Sequence, residues 1–105
     1  MFYNNGFLIF FSIDPPSIDT KPISQAVNES DNLRLFCNAT GYPTPQITWF
    51  MIADTLVPLT VGTALNVTNM SRTDSGVYKC RASNGIGTDA FASANVTVNS
   101  ELKLM

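Results

Sequence analysis

Two cysteines, Cys37 and Cys80, are the reactive sulfurs of this 105-residue chain, and no histidine accompanies them. Without imidazole there is no Ser-His-Asp triad, no Cys-His pair and no histidine base, so autonomous catalysis is not expected. Two thiolates fall short of a four-sulfur zinc site, and the mixed zinc sites require histidine. The wide spacing of the two cysteines matches neither Cys-x-x-Cys nor a zinc ribbon, so a structural role is favoured over a redox or metal-binding pair. No catalytic residue, no metal and no cofactor is expected. A second chemistry is written in the asparagines. Asn28-Glu29-Ser30, Asn38-Ala39-Thr40, Asn66-Val67-Thr68, Asn69-Met70-Ser71 and Asn95-Val96-Thr97 are all acceptor triplets for N-linked sugars.

Charge and composition narrow the setting. The net charge is −2, and the six cations (Lys21, Arg34, Arg72, Lys79, Arg81 and Lys103) form no stripe. A nucleic-acid partner is therefore not expected, since phosphate binding needs a basic footprint. Apolar residues make up 45% of the chain and charged residues 13%, which describes a folded chain and not a disordered one. The length suits one hydrophobic core. Residues 1–14 form an apolar lead-in, read as a signal-like remnant or upstream sequence, because Phe7-Leu8-Ile9-Phe10-Phe11 has no cation before it. No run reaches the roughly 18 apolar residues of a membrane helix, so a membrane anchor is expected only outside this chain.

The elements that must carry these residues are short and alternate with a period of two. Such runs, broken by turn residues, indicate an all-β sandwich. Residues 23–27 read as a first edge strand, preceded by a rigid Asp14-Pro15-Pro16 lead-in. In Leu33-Arg34-Leu35-Phe36-Cys37-Asn38-Ala39 the odd positions point inward. Gly41-Tyr42-Pro43-Thr44-Pro45 ends that strand, and Ile47, Trp49 and Met51 then share an inner face, with Thr48 and Phe50 outside. Leu65 and Val67 resume the alternation. Thr73-Asp74-Ser75-Gly76 is a turn, Tyr78, Cys80 and Ala82 point inward, and Asn84-Gly85-Ile86-Gly87 reads as a hairpin turn. Residues 91–98 form the last strand.

Cys37, Trp49 and the run Asp74-Ser75-Gly76-Val77-Tyr78-Lys79-Cys80, in this order, resemble the immunoglobulin superfamily. The Gly41-Tyr42-Pro43-Thr44-Pro45 link and the ending Cys80-Arg81-Ala82-Ser83-Asn84-Gly85-Ile86-Gly87 resemble its I-set domains. The resemblance covers residues 15–98, leaving 99–105 as a tail or linker. It implies a two-sheet antiparallel Greek-key sandwich with a Cys37–Cys80 disulfide, Trp49 packed against it, and Leu35 and Leu65 in the core. It also implies a tyrosine corner, in which the Tyr78 hydroxyl returns to backbone near Asp74. The stretch from Trp49 to Leu65 is short for the family, so one of the two strands it normally holds, lettered C′ and D, is expected to be vestigial. Ser30 stands where the family commonly has glycine, and it completes a sugar-acceptor triplet.

A disulfide persists only in oxidising compartments, and five acceptor triplets agree, so an extracellular or cell-surface location is expected. Alternation points Asn38, Asn66 and Asn95 to solvent. Sugars on Asn38 and Asn66 would cover one sheet and leave the other for contact. On that second sheet Phe50, Lys79, Arg81 and Phe91 form a candidate binding face, since aromatics and arginine are enriched at interfaces. Scattered surface apolars are the alternative. The expected function is protein–protein recognition in adhesion or in a receptor ectodomain, with a homophilic or heterophilic protein partner. The alternatives are a structural spacer domain and an ectodomain fragment of a receptor tyrosine kinase or phosphatase.

Overall fold

The computed structural model describes residues 12–100. Among them lie nine strands: β1 Asp14–Thr20, β2 Gln25–Asn28, β3 Leu33–Phe36, β4 Asn38–Tyr42, β5 Gln46–Met51, β6 Thr60–Val61, β7 Ala64–Val67, β8 Gly76–Ser83 and β9 Ala90–Asn99. One 3-10 turn, Arg72–Asp74, precedes β8. One layer is a five-stranded sheet in the order β2-β9-β8-β5-β6. The other is made by β3 pairing with β7 and β4 pairing with β1. Every pairing is antiparallel except that of β2 with β9. The result is an immunoglobulin-like sandwich.

Alternation builds the core between the layers, because successive side chains of a strand face opposite sides. Leu33, Leu35 and Leu65 face in from one layer, and Ile47, Trp49, Tyr78, Cys80, Ala82, Ala94, Val96 and Val98 from the other. Burying a large apolar side chain stabilises by about 1.5–3 kcal/mol, so this interior supplies the main driving force. Trp49 is wholly enclosed, and its indole N–H donates to the Gly62 carbonyl at 2.9 Å. Cys37 and Cys80 form the disulfide, with Cα atoms 6.5 Å apart. Trp49 lies directly opposite Cys80 in the β5–β8 register, which sets the indole beside the bridge. Met70, which the alternating pattern does not mark, is also buried, at the turn after β7.

Two expectations about elements change. The Asp14-Pro15-Pro16 lead-in is the beginning of a full strand, and the first edge strand of 23–27 becomes β2, shifted to Gln25–Asn28. Prolines lack a donor, but β1 is an edge strand paired only with β4, with irregular register between Asp14 and Ser17, so the missing N–H groups are tolerated. Asp14 and Asn99, placed outside the 15–98 unit, are the first residue of β1 and the last of β9. Between β5 and β7 the short connection leaves room for β6 alone, two residues long. The apolar run of residues 1–11 and the end of the tail, 101–105, lie outside the described residues.

Candidate functional site

The outward face of β5, β8 and β9 is set by register. Thr48, Arg81 and Phe91 form one row across the three strands, and Phe50, Lys79 and Ser93 form the next. The contacts run diagonally between these rows. The Lys79 ammonium sits 4.7 Å from the centre of the Phe91 ring, and the Arg81 guanidinium sits 5.1 Å from that of Phe50. Each cation thus passes over its direct cross-strand neighbour to reach the other aromatic. Cations attracted to ring faces contribute about 0.5–1 kcal/mol each at exposed sites, which favours this arrangement without outweighing the rotamer entropy of about 2 kcal/mol in each cationic side chain. Arg81 Nε, shut from solvent without a hydrogen-bond partner, is 3.8 Å from the Asp89 carboxylate.

The sequence-based reading places Phe50 outward and available for contact, and that is corrected. Its side is right, but it is only 6% exposed, and Thr48 beside it is buried too. Strand β5 is internal to its sheet, flanked by β8 and β6, and Arg81 lies over the Phe50 ring. Phe91, on β9, is 53% exposed. Lys79 and Arg81 are half-buried. The face has an apolar border that periodicity missed. Val61 pairs with Thr48 and so shares its side, and Val61, Leu59, Val57, Leu56 and Ile52 are exposed along the β5–β6 connection. Residues 55–71 contain no charged side chain, and that is the signal that could have found this border.

The remaining singled-out residues have structural settings. The Tyr78 hydroxyl donates to the Asp74 carbonyl at 2.6 Å, and the Asp74 carboxylate accepts the Ser71 N–H at 2.8 Å. Burial, reinforced by the Asp74 charge, holds the Tyr78 hydroxyl above the usual phenol range. Asn84, read as part of a hairpin turn, also donates to the carbonyls of Asp14 and Pro43, at 2.8 Å each. Asn28, Asn38, Asn66, Asn69 and Asn95 are all exposed. Asn38 lies on β4 and Asn66 on β7, in the layer opposite the aromatic–cation face. Asn95 lies opposite Val77 on the same side as Phe91, about 13 Å further along β9. Among the described residues no group of three or more His, Cys, Asp or Glu is placed to hold a metal ion. No helix among them is long and apolar enough to cross a membrane.

Residues 15–84 match the family model described as "Immunoglobulin domain". Human hemicentin-1 is 32% identical over 87 residues, covering 77% of this chain and 2% of that protein. The Xenopus laevis protein named cell adhesion molecule-related/down-regulated by oncogenes is 34% identical over 91 residues, covering 83% of this chain and 7% of its own length. The chain thus spans a small fraction of these curated relatives. Among solved structures, a chain from the complex of Dpr2 Ig1-Ig2 with DIP-Theta Ig1-Ig3 superposes with a TM-score of 0.75 at 32% identity. That match covers 82% of this chain and 32% of the other.

Proposed function

The chain belongs to the immunoglobulin domain family, and on that premise we propose that it is a non-catalytic recognition module of a larger extracellular or cell-surface protein. It meets another protein, a second immunoglobulin-type domain in homophilic or heterophilic pairing, through the outward face of β5, β8 and β9. The observation that carries this reading is the crossed lattice of Lys79, Arg81, Phe50 and Phe91, ending in an exposed aromatic and bordered by Leu59 and Val61. Aromatic and cationic side chains already biased toward one arrangement, with an apolar border, lose less conformational freedom on binding than unrestrained ones, which favours a contact surface. The likeness to a chain of a solved complex between immunoglobulin proteins supports a protein partner of this kind.

The disulfide supports this location, since reducing compartments do not maintain such bonds. Sugars on Asn38 and Asn66 would cover the opposite layer, whereas one on Asn95 would stand on the contact sheet itself, about 13 Å along β9 from Phe91. The spacer reading and the receptor kinase or phosphatase reading differ in what surrounds the domain, and the first of them is disfavoured by the disulfide.

The test is a tetramer of the chain applied to a panel of immunoglobulin-type ectodomains that includes the chain itself. The triple variant Lys79→Glu, Arg81→Glu, Phe91→Ala is expected to lose binding with little change in melting temperature. Phe50 is left intact because truncating a buried ring would itself cost about 3–5 kcal/mol of stability. Binding retained by the triple variant removes this face from consideration.

A further inference from the structure

Phe36 is out of place on its layer. The outward side chains of β3 and β4 run Arg34, Phe36, Asn38, Thr40 and Tyr42, and β7 places Asn66 opposite Arg34, so the Phe36 ring is flanked on its own row by polar groups. It is 49% exposed. The Arg34 guanidinium lies 5.1 Å from its ring centre and accounts for one contact. The ring borders two depressions. One, of about 220 Å³, opens toward Lys21, Ile23 and Arg34. The other, of about 310 Å³, is lined by Thr20, Phe36, Cys37, Asn38 and Thr63.

The second depression has a clear origin. Strand β3 pairs with β7 and β4 pairs with β1, so the chain changes neighbours as it passes Cys37. Strand β1 ends at Thr20 and β7 begins at Ala64, which leaves a notch where neither covers the outer side. Thr20 and Thr63 lie at its edges, Phe36 and the acceptor asparagine Asn38 line it, and Cys37 lies between them. Phe36 ends β3 and Asn38 begins β4, two residues on, and both are exposed on the outer side of the layer, roughly 7 Å apart.

We infer that the first N-acetylglucosamine on Asn38 lies in this notch against the face of Phe36. The inference rests on the reading that the Asn38 triplet is used. The C–H groups on one side of a pyranose carry partial positive charge and pack on the negative face of an aromatic ring, as other electropositive edges do. Its hydroxyls would lie beside Thr20 and Thr63, the polar residues at the edge of the notch. Asn66 is the competing acceptor, one row away across Arg34, but it does not line the notch. The sugar therefore completes a surface that the polypeptide alone leaves with an exposed phenyl ring.

The experiment uses the full chain secreted from mammalian cells, with each glycan trimmed enzymatically to its first sugar. Peptide mapping should find Asn38 modified. Phe36→Ala should lower the melting temperature by about 4 °C more with Asn38 intact than in an Asn38→Gln background. An Asn66→Gln background should leave the Phe36 effect unchanged. Phe36→Leu keeps apolar bulk without the ring and should reproduce the pattern. Proton NMR of the trimmed protein should show upfield ring-current shifts on the Asn38 sugar, abolished in Phe36→Leu. An unmodified Asn38 overturns the premise of sugar attachment. A modified Asn38 with equal Phe36 effects in both backgrounds, a coupling that follows Asn66, or unshifted sugar protons overturns the stacking itself.

Discussion

Reduction of the Cys37–Cys80 bridge is the perturbation whose size the structure fixes most directly. The cysteines are 43 residues apart in sequence, and closing a loop of that length in the unfolded chain removes entropy worth about 4 kcal/mol at 25 °C. A domain of this size has a total stability of about 5–15 kcal/mol, so the bridge is a large share of it. Reduction is preferable to mutation here, because both sulfur atoms stay in the core and no cavity is opened. The protein is reduced in urea and refolded in excess thiol, then titrated with urea beside the oxidised form. Trp49, the single tryptophan, sits opposite Cys80 and is wholly buried, so its emission reports both unfolding and loss of the quenching disulfide. With a urea dependence of about 1–1.5 kcal/mol per molar, the midpoint should fall by about 3 M. A fall of less than about 1 M would refute the reasoning, since the bridge would then restrain little of the unfolded chain.

Tyr78→Phe removes the bond to the Asp74 carbonyl and should cost about 1 kcal/mol, read as a fall in melting temperature of about 4–8 °C. Because the folded Tyr78 hydroxyl is held above its ordinary value of 10.0, its contribution is complete below that pH. It is lost as pH rises through the folded value, so wild type should lose stability above about pH 10 more steeply than Tyr78→Phe; parallel alkaline titrations contradict this. Asn84→Ala removes the donor shared by the Asp14 and Pro43 carbonyls, both open to water, and should cost about 0.5–1.5 kcal/mol, with faster hydrogen exchange in β1 than in β9. Gly41→Ala should act on the same junction, since Gly41 has φ of 154° and an added Cβ would lie 3.1 Å from the Asn84 amide nitrogen. Phe50→Ala should cost about 3–5 kcal/mol, as for a core ring, whereas Phe91→Ala should cost about 1 kcal/mol or less. Equal losses in chemical denaturation would show that the two rings are buried alike.

What the sequence made legible was whatever depends on period and order. Leu33, Leu35 and Cys37 face inward because alternation is a property of the strand itself, and Trp49 and Cys80 follow by the same rule. Strand β1 was hidden by its two prolines, which argue against a strand in isolation and are harmless only at an edge. Phe50 shows the limit on the site. Alternation fixes the side a residue takes, but the cover over it comes from Arg81, remote in sequence. The Asn84 tie to Asp14 joins residues 70 apart and has no local trace. Val61 and Leu59 were missed because a two-residue strand between Pro58 and Gly62 shows no period. The diagonal contacts of Lys79 and Arg81 depend on register between three strands, which composition does not encode.

The proposed recognition face is tested most directly by hydroxyl-radical footprinting of the chain, alone and bound to the ectodomain that the panel identifies. Oxidation of Phe91 and Leu59 should fall in the complex, while Phe36 on the opposite layer, and Ile23 beside it in the β1–β2 connection, keep their free-state rates. Protection of Ile23 and Phe36 with Phe91 and Leu59 unchanged would place the partner on the other sheet and contradict the account.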